Sequence, residues 1–151
     1  MDVVRRNTDY ALRLVLNLAR NYGNGPISTR MAASKEDVPY QLASKLMQRL
    51  NKAKLVKSCM GPKGGFVLGR EPSKICLLDV VETIQGPITI NRCLLSLDFC
   101  PKHRDCPIRA KLAELQKSIN NSLAGITLDE LLQNGHTKCK SKARKRKRIK
   151  R

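Results

Sequence analysis

Three cysteines fall within fourteen residues, at Cys93, Cys100 and Cys106, in the spacing Cys-x6-Cys-x5-Cys. The second and third are each followed by proline, Pro101 and Pro107. Thiolates are soft ligands that suit zinc and iron–sulfur clusters. Structural zinc sites usually carry close Cys-x2–4-Cys pairs in two knuckles. This stretch has no such pair, although His103 lies within it. A catalytic cysteine needs a base and an orienting group, and nothing in the stretch is arranged to supply them. Lys102, His103, Arg104 and Asp105 make it too polar for a core strand of buried structural cysteines. A loop of this kind can wrap an inorganic cluster, and Cys-Pro recurs beside iron–sulfur ligands. On spacing alone an iron–sulfur cluster leads, with zinc and a metal-free loop left open. Three cysteines leave one coordination position to be filled from elsewhere.

Composition narrows the setting. A chain of 151 residues fits one domain of ordinary size. It is 41% hydrophobic, with no Trp and 3% aromatics, so its core must be built from Leu, Val, Ile and Ala, which favours helices. The formal net charge is +18. Residues 138–151 hold ten Lys/Arg and no acid, which leaves +8 for residues 1–137 (20 Lys/Arg against 12 Asp/Glu). A chain this basic is expected to meet a polyanion. No apolar run reaches the roughly 18 residues of a spanning helix. Met1–Arg6 leads into an amphipathic segment and not into the apolar core of a signal peptide. The expected location is the cytoplasm, with no membrane partner. Thiols stay reduced there, so six cysteines call for metal, redox chemistry or burial before disulfides. Neither a substrate-pocket motif nor a second redox motif stands out, so no enzyme is expected.

The elements that must position the cysteines read mainly as helices. Leu12, Val15, Leu16 and Ala19 recur at helical spacing after Thr8, a plausible N-cap. Tyr22-Gly23-Asn24-Gly25-Pro26 ends that helix. A short helix starts near Ser28, also a candidate cap, and breaks around Glu36-Asp37-Val38. Pro39 stands where the first position of a new helix would be, and that helix runs over Tyr40–Lys52. The pair forms a helix-turn-helix pattern. With Leu42, Leu46, Leu50 and Ala43 toward the core, Gln41, Ser44 and Gln48 point the other way, flanked by Tyr40, Lys45 and Lys52. Gln, Ser and Lys suit base edges and phosphates of a major groove; for a lone helix an ordinary solvated face would be the plainer reading. The next stretch tips the balance. Leu55–Met60 and Phe66–Leu68 read as strands about the turn Gly61-Pro62-Lys63-Gly64-Gly65. A hairpin after a helix-turn-helix is a wing, in which Gly64 permits close approach and Lys57 and Lys63 serve phosphates. Ser28 and Thr29, opening the first helix of the pair, complete the expected DNA-contacting set.

Leu77–Ile84 is a further amphipathic helix, ended by Gly86-Pro87. Ile108, Leu112, Leu115, Ile119, Leu123 and Ile126 form a short seam of the kind that pairs two helices. Thr127–Leu132 reads as a short capped helix, and the tail from Lys138 has too little apolar content to fold. The expected organisation is mainly α with a small β-hairpin wing. Residues 1–86 make a winged helix-turn-helix, 87–107 a cysteine loop, 108–134 a dimerisation helix with a short terminal helix, and 135–151 a basic disordered tail.

At this point the chain resembles the Rrf-two family of winged helix-turn-helix repressors, which includes iron–sulfur cluster regulators and nitric-oxide-sensitive repressors. The carriers are Thr8-Asp9-Tyr10-Ala11-Leu12-Arg13, Leu46-Met47-Gln48-Arg49-Leu50, Gly61-Pro62-Lys63-Gly64-Gly65-Phe66 and the late triple cysteine, in that order. The resemblance spans roughly residues 5–134. It implies a homodimer on double-stranded DNA and one cluster per subunit, 4Fe-4S ahead of 2Fe-2S, with Cys93, Cys100 and Cys106 as ligands. It implies repression tuned by redox state, nitric oxide or iron. A repressor of the same fold without a cluster, sensing a thiol or small molecule, is the alternative. Two positions depart from the pattern. Where some members place a fourth-ligand histidine, three residues after the last cysteine, this chain has Arg109. Asp9 of the second subunit matches the aspartate that other members use instead, although a helix-capping acid is an equal reading of it, and His103 is a third candidate. Met60 stands where an arginine commonly precedes the first wing glycine.

Overall fold

The 3.6-residue recurrence of apolar side chains winds the first segment into α1 (Arg6–Arg20), which buries Ala11, Leu14, Val15, Leu18 and Ala19 along one stripe. The structure, a computed structural model, describes residues 3–134. Helix α1 begins earlier than expected. Its N-cap is Arg5, so Thr8 does not cap it. Thr8 is instead fully buried in the first turn, where its hydroxyl donates to Gln85 Oε1 at 2.8 Å. The same oxygen accepts the Arg5 backbone N–H at 2.9 Å, and Gln85 Nε2 donates to the Val3 carbonyl at 2.8 Å. A side chain far along the sequence does the work expected of a local cap.

Helix α2 (Thr29–Lys35) is capped as expected, with Ser28 Oγ accepting the Met31 N–H at 3.2 Å. The turn to α3 (Tyr40–Lys52) passes through Asp37, in the left-handed region at φ 53°. Pro39 is the N-cap of α3, one position outside the helix, and not its first residue. Ala43, Leu46, Met47 and Leu50 are buried beneath α3. Full burial of one such Leu or Met is worth about 1.5–3 kcal/mol.

Strands β1 (Val56–Cys59) and β2 (Gly65–Leu68) pair antiparallel, from Val56 opposite Leu68 to Cys59 opposite Gly65. The hairpin is tied to the entry of α2 by two backbone bonds, Ile27 N–H to Phe66 O at 3.0 Å and Phe66 N–H to Ile27 O at 2.9 Å. Gly65 is required there, because a Cβ would collide with the Ile27 carbonyl. The wing is thereby fixed to the helix-turn-helix.

Helix α4 (Leu77–Gln85) stops at Gly86, φ 82°. Two 3-10 turns follow, Arg92–Leu94 and Leu97–Phe99, and then the long α5 (Pro107–Gly125). Helix α6 (Leu128–Asn134) comes back onto α1 and onto the 3-10 turn at Pro72–Lys74. Leu77 N–H to Ile126 O (2.9 Å) and Leu128 N–H to Ile75 O (3.0 Å) stitch its entry to α4, and Leu128 is fully buried. The core lies among α1, α3, α4 and the wing base, closed by Leu128. No residue of α5 is buried within the chain. The architecture is mainly α with a two-stranded wing, as the patterning predicts. The expected basic tail lies outside the described residues.

Candidate DNA-reading face and cysteine loop

Because Leu46 and Leu50 turn inward, the opposite side of α3 turns out. Gln41, Lys45 and Gln48 are exposed, Ser44 is half-buried and Tyr40 is 50% exposed. Between Ser28 and Leu68 the sequence carries eight Lys/Arg and two acids, Glu36 and Asp37. Glu36 is turned to Asn17 (2.7 Å) and Arg20 (3.5 Å), away from this face. The result is a cationic surface carrying hydrogen-bonding groups. Lys57 and Lys63 are exposed on the wing, as is Met60 at 96%. Gly64 serves closure of the turn: a Cβ there would lie 2.6 Å from Cys59 O. Ser28 already uses its Oγ as a cap, and Thr29 is half-buried.

The sequence reading missed Arg30. Its guanidinium sits over the Tyr40 ring, 5.2 Å from the centroid, joining the two helices of the helix-turn-helix. A signal was present, since α2 holds Arg30 and Lys35 and no acid. Arg49, on the carrier motif, faces elsewhere: its Nη2 donates to the Thr83 carbonyl in α4 at 3.2 Å.

Cys93, Cys100 and Cys106 are half-buried free thiols in the connection from α4 to α5. Asn91 Oδ1 accepts the Cys93 N–H (3.3 Å) and Ser96 Oγ accepts the Asp98 N–H (3.2 Å), which seats the two 3-10 turns. Arg109 Nε donates to the Cys93 carbonyl at 3.1 Å, and Gln116 Oε1 accepts the Ile90 N–H at 2.9 Å. His103 Nδ1 lies 2.8 Å from the Cys100 carbonyl, so its Nδ1–H tautomer is engaged with backbone. Cys106 is the N-cap of α5 and borders an open cleft of about 400 Å³ with Lys102, Arg104 and Asp105. Asp9 is in a salt bridge with Arg13 Nη2 at 2.8 Å.

Three thiols are the right chemical type for an iron–sulfur cluster. Among the described residues, no group of three or more His, Cys, Asp or Glu gathers closely enough to hold a metal ion. Cys76 stands apart from the loop. Burial pushes its thiol pKa up, only partly countered by the Asp79 backbone N–H, and its own N–H donates to Asp79 Oδ2 at 3.0 Å. No helix among the described residues is long and apolar enough to cross a membrane.

Residues 4–134 match the family Rrf2, described as iron-dependent transcriptional regulator. The chain is similar to the regulator CymR of Bacillus subtilis, 32% identical over 122 residues, covering 81% of this chain and 83% of that protein. It is similar to the regulator IscR of Xenorhabdus nematophila, 28% identical over 125 residues, covering 83% and 76%. The solved structure of B. subtilis CymR, the global cysteine regulator, superposes with a TM-score of 0.75 at 27% identity, covering 88% of this chain and 98% of that one.

Proposed function

The chain belongs to the Rrf2 family of transcriptional regulators, and from that premise we propose that it is a homodimeric, cytoplasmic repressor that binds operator DNA and senses its signal through residues 87–107. The observation that supports DNA reading is the outward Gln41, Ser44 and Gln48 of α3 over buried Leu46, with a wing fixed beside them through Ile27 and Phe66. In a dimer two such faces meet half-sites about one helical turn apart. Each presents amides that bond adenine edges and lysines that bond phosphate.

For sensing, Cys93, Cys100 and Cys106 are the thiolate ligands of an iron–sulfur cluster, a group whose chemistry is reactive toward oxygen and nitric oxide. Asp9 of a second copy is the fourth donor; its Oδ2 pairs with Arg13, and a carboxylate has a second oxygen to offer. The test is anaerobic purification with iron and sulfide analysis and the visible spectrum before and after nitric oxide. A brown protein with iron and sulfide is expected, and Cys93→Ala should remove both. A second reading has its own support, since among the described residues no three such donors could hold a metal ion and CymR, whose structure is described as that of a cysteine regulator, is similar at 32% identity. In that reading the loop thiols sense without metal. A colourless, iron-free protein that still selects a duplex favours it.

A further inference from the structure

We infer that Arg30, splinted by the ring of Tyr40, is a preformed clamp for a DNA backbone phosphate; the inference rests on the DNA-binding reading above and deepens it. The guanidinium lies 5.2 Å from the Tyr40 centroid, within cation–π range. No hydrogen bond or ion pair among the described residues uses its N–H groups, and a guanidinium fork matches two oxygens of one phosphate. Among the described residues Arg30 is in no ion pair; Glu36 is held by Asn17 and Arg20, α2 and α3 contain no acid, and Asp37 in the turn between them is the one further acid of the motif. Arg30 lines an open surface cavity of about 470 Å³ together with Ser28, Met31, Ser34 and Lys35. That lining offers hydroxyls and a second cation around one concavity, with no carboxylate in it.

Position decides between phosphate and base. Tyr40 is the first residue of α3, the end of a recognition helix that dips toward base edges. Arg30 is on α2, the helix that crosses the backbone in this motif. Holding the arginine in one rotamer lowers the ordering cost of the contact, which is otherwise large for this side chain. The ring is thus a positioning group and the guanidinium the contact.

The experiment measures binding of the full chain to two duplexes by anisotropy across a salt series. One is a duplex selected by the wild type from a randomised library; the other is poly(dI-dC). Arg30→Ala is expected to weaken both by a similar factor, about tenfold per dimer. The slope of log K against log salt should fall by about 0.9 for each lost phosphate contact. Tyr40→Phe keeps the ring and should therefore lose less than Tyr40→Leu. Tyr40→Leu should lose part of what Arg30→Ala loses, and the double variant should lose no more than Arg30→Ala alone. Melting temperatures should stay within a few degrees, since both side chains are exposed. Unchanged affinity and slope in Arg30→Ala overturn the inference while leaving DNA binding intact. A loss confined to the selected duplex overturns it too, by making Arg30 a base reader. A wild type that binds neither duplex sinks the proposed function and the clamp together.

Discussion

Arg109 and Cys93 are joined by a hydrogen bond from the guanidinium Nε to the cysteine's backbone carbonyl, 3.1 Å long. Arg109 stands where some family members would place a ligating histidine, and here it holds the loop by its backbone. Gln116, two turns further along α5, holds the Ile90 N–H at 2.9 Å. Helix α5 therefore grips the start of the loop at two points. Replacing Arg109 by Ala is expected to raise amide exchange across residues 90–95 by up to about tenfold, the value of roughly one net hydrogen bond. Exchange in α1, α3 and α4 should not change. Mass-resolved hydrogen exchange checks this, and equal rates in the two proteins would show that the loop does not depend on the clamp.

Gln85 gathers three partners at the N-terminus of α1: the Arg5 N–H, the Thr8 hydroxyl and the Val3 carbonyl. Thr8 is fully buried, so truncating its acceptor strands a polar group away from water. Gln85→Ala should cost about 1–3 kcal/mol in urea unfolding. Thr8→Val, which removes the stranded donor at nearly constant volume, should restore part of that loss in the double variant. Additive losses would mean that the hydroxyl finds water or another partner once Gln85 is gone.

That pair also marks where the sequence stops being legible. The extent of α3 and the face of Gln41, Ser44 and Gln48 follow from local periodicity, and the structure has the helix at Tyr40–Lys52, with Pro39 just outside it and not at its first position. The cap at Ser28 was readable because it acts three residues away. Thr8 looked like a cap by the same logic, but its partner lies 77 residues on, where no local pattern reaches. Met47 and Leu128 are buried to 0% by contacts between distant segments, although neither stood out in the helical patterning. The stacking of Arg30 on Tyr40 and the grip of Arg109 on Cys93 have the same origin. In the cysteine loop the residue types were plain from the chain. Whether three thiols meet is a matter of loop closure, which spacing does not encode.

Cys76 should be the slow thiol. Burial raises its pKa, so at neutral pH less of it is thiolate, the form that reacts. Iodoacetamide labelling followed by peptide mass spectrometry should find Cys76 modified severalfold more slowly in the folded protein than in urea. The gap should narrow as pH rises, because the folded thiol gains thiolate at higher pH than the unfolded one. Equal folded and unfolded rates at pH 7 would remove Cys76 from the inert class and make it a rival to the loop cysteines as a sensor.

Helix α5 presents Ile108, Leu112, Leu115, Ile119 and Leu123 within about 80° of one another around its axis, at 100° per residue. Yet none of its nineteen residues is buried, and Ile108 and Leu115 are 69% and 56% exposed. An apolar stripe this long is stable in water when something covers it, and a second copy of the same stripe is self-complementary about a two-fold axis. Leu115→Glu is therefore expected to weaken self-association at least tenfold, because two carboxylates would face the seam of each dimer. Lys117→Glu places the same residue on the far side of the helix and should leave association intact. Sedimentation velocity over a concentration series measures both, with far-ultraviolet circular dichroism to show that the helices persist. If Leu115→Glu sediments like wild type at every concentration, the seam is not the dimer contact. Two reading faces would then have to be brought together by some other surface.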